Sequence, residues 1–236
     1  SLSNDLYESE NFYNTGTAGD PISLPTHRLE IGQSMGKYWG MKSVGISDNG
    51  LWMIENPKTG EAEEFSAEML NDDYRQYLGN GLPKLNLGWG HTFSYKNLYL
   101  SMQMTGAFGF KILNEQRMFY EHNFIAYNRL KTASNNVYGV RPLSSAQSQT
   151  FVSYYLEDGD YLKMTNMTLG YSFNTQKFKY IDALRVYVSG ENLFCITGYS
   201  GLDPELSNSD YYSAGNDPRD KYPTIRSFTF GVNITF

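Results

Sequence analysis

The last residues of the chain place the strongest constraint on its fold. Every second position is apolar and the positions between are small or polar, the apolar set being Phe228, Phe230, Val232, Ile234 and Phe236. Successive side chains of a β-strand point to opposite faces of a sheet, so this segment predicts a strand with one apolar and one polar face. It matches the roughly 9–11 residues of a tilted membrane-crossing strand, whereas strands in soluble proteins usually have about 5–6 residues. Taken alone, the segment fits both a membrane wall and an ordinary edge strand.

Period-two alternation recurs along the chain. It predicts strands at 27–39, 84–95, 98–110, 160–173, 183–196 and 225–236. Residues 1–26 are polar and rich in turn-forming residues, which indicates the end of a preceding strand followed by a loop. The connections after the first strand are alternately long and short, the long ones being 40–83, 111–158 and 197–223. Outer-membrane barrels have this asymmetry, with short turns at one end and long loops at the other.

The long connections carry weaker signals. Short helices are expected at about Ser66 to Tyr77 and at about Asn114 to Arg129. Loops longer than about 12–15 residues are uncommon in compact domains and are usually functional or disordered. One strand is irregular, because Leu162 and Met164 interrupt the face that is polar further along 160–173.

Aromatic residues make up 16% of the chain and collect near the ends of the predicted strands. The level beside the short turns contains Phe93, Tyr95, Tyr171, Phe173 and Phe236. The level beside the long loops contains Phe108, Phe110, Tyr161 and Phe228. Two such levels are typical of the aromatic girdles of membrane proteins.

Composition removes several classes of protein. No apolar run reaches the roughly 18 residues of a membrane helix, and a net charge of -6 argues against a nucleic-acid partner. The single cysteine, Cys195, excludes an internal disulfide, and no Cys/His cluster has metal-site spacing. We therefore expect no metal and no other cofactor.

Strand number completes the fold prediction. A sheet in lipid must close, because an unpaired edge leaves backbone groups without hydrogen bonds. Bacterial barrels have at least about eight strands, which exceeds the six predicted here. The sequence therefore predicts an all-β, antiparallel transmembrane β-barrel, of which these are about six C-terminal strands with long extracellular loops.

Several motifs resemble the C-terminal barrel of SusC/RagA-type TonB-dependent outer-membrane transporters. They lie in order over about 28–236, at Gly79–Pro83, Asp160–Phe173, Leu184–Phe194, Gly198–Glu205 and Tyr222–Phe236. Many members carry an Asp-rich loop that resembles a calcium site, but the corresponding residues 56–64 lack the alternating Asp and Asn ligands of an EF-type loop. No metal is assigned on this ground either.

The resemblance implies a transporter rather than an enzyme. It implies a barrel of about 22 strands, an internal plug, and coupling to TonB through an N-terminal part that is absent from these residues. It also implies the cell outer membrane as location, with its lipid and the barrel assembly machinery as partners. A SusD-like surface lipoprotein would capture the glycan or peptide substrate. Phe236, as the terminal aromatic, is the predicted assembly signal.

Candidate residues fall into two groups on this interpretation. Loop aromatics are candidates for contact with a sugar or a lid protein, packing among the loops being the alternative for each: Trp52, Tyr120, Tyr127, Tyr199, Tyr211 and Tyr212. Polar residues of one strand are candidates for lining the lumen, contact with the plug or neighbouring side chains being their alternative: Arg185, Tyr187, Ser189 and Glu191.

No catalytic residue is predicted. His27, His91 and His122 have no nucleophile pattern near them. The acidic residues of the last long loop are interpreted as turn-forming and solvated; they are Asp203, Glu205, Asp210, Asp217 and Asp220.

Two functional hypotheses follow. The first is part of a nutrient importer of the outer membrane. The alternative is a soluble β-sandwich carbohydrate-binding module whose aromatic loops hold sugar. Expression of residues 1–236 alone separates them, since a monodisperse monomer without detergent favours the soluble module.

Overall fold

The computed structural model describes residues 12–18, 24–122, 128–206 and 212–236. These residues form β-strands in mostly antiparallel sheets. In chain order the strands are β1 (Phe12–Thr17), β2 (Pro25–Glu30), β3 (Lys37–Gly40), β4 (Ser43–Ile46), β5 (Trp52–Glu55), β6 (Ala62–Glu64), β7 (Gln76–Asn80), β8 (Leu85–Tyr95), β9 (Leu98–Phe108), β10 (Lys111–Asn114), β11 (Leu156–Asp158), β12 (Tyr161–Phe173), β13 (Ala183–Thr197), β14 (Asn216–Asp217) and β15 (Ser227–Thr235).

Helices are short. Among the described residues, one α-helix, α1, runs over Glu115–Tyr120, and 3₁₀ turns lie at Ala67–Met69, Asp72–Tyr74, Lys131–Ser134 and Ser153–Tyr155. In the described ranges, no helix has the length and apolar character needed to cross a membrane. The prediction of a helix at Ser66 to Tyr77 is wrong, since two 3₁₀ turns and the start of β7 occupy these residues. At Asn114 to Arg129 the described helix is α1, and the Asn114 side chain caps it by accepting from the Arg117 N–H at 3.0 Å.

The five long strands form one sheet, in the order β15-β13-β12-β9-β8, which we call the wall sheet. Neighbouring strands in it are antiparallel and pair over almost their full length. Strands β8 and β9 have 11 residues each, and β13 has 15. The predicted bounds of these five strands differ from the observed ones by at most two residues at either end.

The strand predicted at 27–39 is a hairpin outside the wall sheet. β2 and β3 pair with each other through His27 and Tyr38, in a separate sheet ordered β1-β2-β3-β7. Gly32 and Gly36 adopt φ values of 85° and 76°, the left-handed conformation that glycine adopts readily. The chain therefore reverses where the alternating pattern suggested continuity, and the wall sheet has five strands rather than about six.

A β-bulge explains the irregular polarity of β12. The register of β12 against both neighbours shifts between Met164 and Asn166. An extra residue reverses the alternation of side chains, so Leu162 and Met164 return to the face that carries Met167 and Leu169. The same shift places Lys163 on the polar face, opposite Thr105 of β9.

The main hydrophobic core lies in the connections rather than in the wall. The described residues within 12–84, 109–160 and 198–226, which we call the loop module, pack together around buried side chains from separate segments; the largest are Trp52, Tyr38, Tyr155, Phe119 and Phe151. Strands β4, β5 and β6 form a small antiparallel sheet of this module. The long loops are thus largely folded in their described parts.

Candidate functional site

One face of the wall sheet is apolar and largely exposed. The register aligns the alternating positions of all five strands, so that Trp89, Met104 and Met164 are neighbours across three strands. Exposed fractions reach 82% for Phe230 and 50% for Trp89. Soluble monomers rarely expose contiguous apolar patches larger than a few hundred Å². This face therefore requires an apolar environment.

Only part of the aromatic level predicted beside the long loops lies on the apolar face. Phe228 is 65% exposed there, but Phe110 and Tyr161 are buried in a small core with Ile112 and Tyr199. The bulge in β12 turns Tyr161 to the other side, because it pairs with Ala107 on the polar face of β9. The prediction that Phe110 and Tyr161 belong to an aromatic girdle is therefore wrong.

The opposite face is polar and carries the four predicted residues of β13. Arg185 Nε donates to Tyr99 Oη at 2.8 Å, and its guanidinium lies 4.0 Å from the centre of that ring. Ser189 Oγ lies 2.9 Å from Thr168 Oγ1. Glu191 Oε2 accepts from Ser227 Oγ at 2.9 Å.

Glycines make room for the tyrosine rings on this face. A Cβ on Gly231 would lie 2.2 Å from Tyr187, and one on Gly170 would lie 2.0 Å from Tyr99. The rings therefore lie over glycines of adjacent strands. Arg185, Tyr187, Ser189 and Glu191 share one polar surface, and their role in lining a lumen stays a prediction.

The predicted contact residue Trp52 is fully buried. Its ring centre lies 5.2 Å from that of Tyr154 and 5.8 Å from that of Tyr155, and its backbone N–H donates to Gln147 Oε1 at 3.0 Å. The ring has no surface for a sugar or a partner. The expected contact is therefore wrong for Trp52, because the loop around it folds into a core.

The other predicted aromatics occupy different environments. Tyr199 is buried and donates to Asp217 Oδ2 at 2.6 Å, so it does not fit direct contact either. Tyr120 packs against the main core. Tyr212 is 41% exposed. Tyr127 and Tyr211 lie outside the described residues.

A buried charge network joins the last long loop to the polar face of the wall. Lys163 is 3% exposed, and its ammonium lies 3.1 Å from Asp203 Oδ2 and 2.6 Å from Glu205 Oε2. Thr224 also donates to Asp203, and Lys221 donates to the Asp203 carbonyl. Burial raises the pKa of Asp203, but the hydrogen bonds from Thr224, the Glu205 N–H and Lys163 outweigh it and hold the pKa below its usual value.

The interpretation of the acidic residues as solvated is wrong for two of them. Asp203 and Asp217 are 5% and 2% exposed. Burial raises the pKa of Asp217, against the hydrogen bond from Tyr199 and the charge of Lys221. In the part of the chain that the structure describes, no group of three or more His, Cys, Asp or Glu is placed to hold a metal ion.

His122 is a buried, neutral histidine of the loop module. It is 0% exposed, and neither ring nitrogen has a hydrogen-bond partner in the structure. Burial lowers its pKa from the ordinary 6.5 to about 4. Protonation of this side chain therefore opposes folding.

We expect the loop module to lose stability as the pH falls from about 6.5 to about 4. The unfolded histidine takes up a proton below about pH 6.5, while the folded one stays neutral until the pH approaches 4. The loss at about pH 5 is about 2 kcal/mol. Amide hydrogen exchange over 112–119, corrected for intrinsic rates, measures it in the full-length protein. His122→Asn should remove the difference, and an unchanged pH dependence in that variant would contradict the assignment.

Similar proteins are TonB-dependent receptors. The chain is 23% identical to TonB-dependent receptor P3 of Formosa agariphila, over 98% of the chain and 25% of that protein. It is 34% identical to the TonB-dependent receptor SusC of Bacteroides thetaiotaomicron, over 39% of the chain and 9% of that protein. Among solved structures, the RagAB peptide transporter matches with a TM-score of 0.77 and 23% identity, over 98% of the chain and 25% of that structure's chain. No protein-family model matches the chain.

The resemblance to SusC/RagA-type TonB-dependent transporters is thus confirmed, together with an all-β fold that matches part of such a barrel. The chain spans about a quarter of the length of the first curated relatives it matches. TonB-dependent receptors are outer-membrane β-barrel proteins. The relatives are receptors and transporters, which fits a protein that is not an enzyme.

Proposed function

We propose that this chain forms part of the wall and the extracellular loops of an outer-membrane TonB-dependent transporter that imports oligosaccharides or peptides. One observation carries the proposal: the wall sheet has a continuous apolar face on strands of 9 to 15 residues and a polar opposite face. A lipid-facing and a lumen-facing surface on strands of about 9–11 residues or more are what a membrane barrel requires. On this proposal Arg185, Tyr187, Ser189 and Glu191 line the solute path.

Both outer strands of the wall sheet support membership of a larger barrel. In the described residues, β8 pairs only with β9 and β15 pairs only with β13 within this sheet. Each unpaired backbone group in lipid costs several kcal/mol. Further strands of the transporter would therefore flank both, and the plug and the contact with TonB would fall to residues other than these.

A SusD-like surface lipoprotein is the proposed partner on the extracellular side. The likeness to SusC and to the RagAB structures supports it. The folded loop module offers a preformed surface for such a partner, because its core fixes the connections relative to one another. Tyr212 is the described loop aromatic of the predicted set with the largest exposed surface.

The alternative of a soluble β-sandwich accounts less well for the wall sheet. A sandwich buries the apolar face of one sheet against a second sheet about 10 Å away. In the described ranges, many residues of this face remain exposed, including Phe93, Val186 and Val232. The observation therefore favours lipid over a second sheet.

Localisation and uptake test the proposed function directly. The full-length protein should fractionate with the outer membrane, and a deletion strain should fail to grow on one solute in a panel of glycans and peptides. Loss of TonB should produce the same growth defect. Growth on every solute of the panel without the gene, or a soluble location, would refute the proposal.

Deletion of Phe236 should remove most of the transporter from the outer membrane. Phe236 is 82% exposed and follows β15 on the apolar face, and terminal aromatics at this level anchor a strand at the membrane interface. Immunoblots of outer-membrane fractions measure the effect, with Phe236→Trp as the conservative control. Normal levels of the truncated protein would show that the residue is not an assembly signal.

A further inference from the structure

A cavity of about 510 Å³ lies at the end of the wall sheet that meets the long loops. Its lining includes Lys84, which precedes β8, and Gly109, which follows β9, together with residues of β3 and β7. This volume is within the range of about 300–1,000 Å³ that small-molecule sites occupy. The candidate residues for solute contact and for the lumen do not line it.

This cavity is positively charged in a chain that is acidic overall. Its charged lining consists of Lys37, Lys84 and Lys111 against Asp158 and Asp160, whereas the whole chain has a net charge of -6. One positive charge is therefore in excess at this place. A concave site with such an excess attracts anions.

Two of the lysines have no carboxylate partner among the described residues. The Lys37 ammonium donates to the neutral Gln33 Oε1 at 2.5 Å and lies 4.9 Å from the centre of the Tyr77 ring. Lys84 forms neither an ion pair nor a side-chain hydrogen bond with any residue that the structure describes. Each ammonium has three N–H donors, so both lysines keep donors for a ligand.

The two aspartates of the cavity are committed to other groups. Asp158 Oδ1 lies 2.7 Å from the Lys111 ammonium, and Asp160 Oδ1 accepts from the Gly109 N–H at 2.6 Å. Two ammonium groups thus remain to be neutralised. A phosphate monoester carries a charge of about -1.5 to -2 at pH 7, whereas a carboxylate carries a single charge. The charge of the cavity therefore favours a phosphate group, for which lysine is a common ligand.

Alternation along β10 and β3 shows to which side the cavity opens. Ile112 packs with Ala107 on the polar face of β9, so its neighbour Lys111 points to the other side. Tyr38 points into the main core, so Lys37 turns away from that core in the same manner. The cavity therefore opens on the side of the wall sheet that carries the apolar face.

We propose that this cavity binds the phosphate group of a lipid headgroup in the outer leaflet of the membrane. The proposal rests on the proposed membrane position of the wall sheet. Leu85 and Phe108 are paired residues of the apolar face and directly adjoin the cavity in sequence. It thus lies where the hydrocarbon region would give way to headgroups, which selects a lipid over a soluble phosphate. Lys37, Lys84 and the Ser34 hydroxyl would donate to the phosphate oxygens.

Native mass spectrometry of the purified full-length transporter in detergent tests the site. The probes are monophosphoryl lipid A, the same lipid after dephosphorylation, and glucosamine 1-phosphate as a soluble phosphate. We expect monophosphoryl lipid A to bind, and the other two probes to bind at least about tenfold more weakly. Lys37→Gln and Lys84→Gln should each weaken binding of the phosphorylated lipid by about tenfold, which is the loss of one charge-assisted hydrogen bond.

Lys58→Gln is the matched control, because it removes one positive charge from an exposed lysine that does not line the cavity. Equal weakening in this variant and in Lys84→Gln would show an effect of overall charge and overturn the site. Failure of the phosphorylated lipid to bind, or equal binding of the dephosphorylated lipid or of glucosamine 1-phosphate, would also overturn it. None of these results affects the outer-membrane location or the TonB-dependent growth phenotype, so the lipid site can fail while the proposed function stands.

Discussion

Gly215→Ala should detach residues 212–217 from the rest of the loop module. Gly215 has a φ of 82°, and a Cβ there would lie 2.4 Å from Tyr38 Oη and 2.6 Å from the Lys111 carbonyl oxygen. The left-handed conformation costs a non-glycine residue about 1–2 kcal/mol, and overpacking adds about 1–3 kcal/mol. We therefore expect a loss of about 2–5 kcal/mol in the local stability of the module.

The contacts around Gly215 explain why the effect should spread. Its carbonyl accepts from the Leu113 N–H at 2.9 Å, and β14 pairs with β10 immediately after it. On the preceding side, the Ala214 carbonyl lies 2.8 Å from His27 Nε2. One added methyl group would therefore disturb contacts to two segments at once.

Hydrogen exchange of the Leu113 and Asn216 amides in the full-length protein measures the effect. Gly60→Ala is the matched control, since Gly60 has a φ of 76° but no atom within 4 Å of the added Cβ. It should show only the conformational cost of about 1–2 kcal/mol, confined to its own turn. Equal losses of protection near Leu113 in the two variants would show that steric contact at Gly215 is unimportant.

The strands of the wall sheet were predictable from the sequence because each strand leaves a local pattern in its own residues. Side chains that alternate along a strand leave a period of two in the sequence, and four of the five strands keep that period throughout. The exception, β12, contains a bulge, which leaves no local signal apart from the broken pattern at Leu162 and Met164. The hairpin at β2 and β3 was missed for the opposite reason, because alternation continues by chance across its turn.

The loop module was not predictable in the same way. Its core gathers Tyr38, Trp52, Phe119 and Phe151 from segments far apart in the sequence, and no periodicity links them. Trp52 and Tyr199 therefore looked like exposed loop aromatics although both are buried. Composition alone cannot distinguish an aromatic that packs from one that binds.

The buried charge network shows why the environment of a charged residue could not be predicted from its neighbours in the sequence. Asp203 precedes a proline and resembles a turn residue, but its partner Lys163 lies 40 positions earlier, on β12. The bulge in β12 then decides which face Lys163 occupies. Neither fact can be obtained from the residues next to Asp203.

Lys163→Met should produce a large loss of stability in the last long loop. Methionine keeps most of the apolar stem of the lysine but removes its ammonium group. The Asp203 carboxylate, whose side chain is only 6% exposed, then loses the Lys163 cation. Removal of one partner of a buried pair costs about 3–5 kcal/mol. The last long loop should consequently separate from the polar face, and limited proteolysis within 198–224 should become faster.

Two further variants isolate the buried charge as the cause. Lys58→Met breaks an ion pair with Asp73 in which both side chains are 70% exposed, and such pairs contribute below about 1 kcal/mol. Asp203→Asn combined with Lys163→Met removes both charges, so the double variant should be more stable than the sum of the two single losses predicts. If Lys163→Met and Lys58→Met lost equally little stability, the network would be no more than a surface ion pair. If the double-variant losses were simply additive, Lys163 and Asp203 would act independently, and another contact would have to hold the loop on the wall.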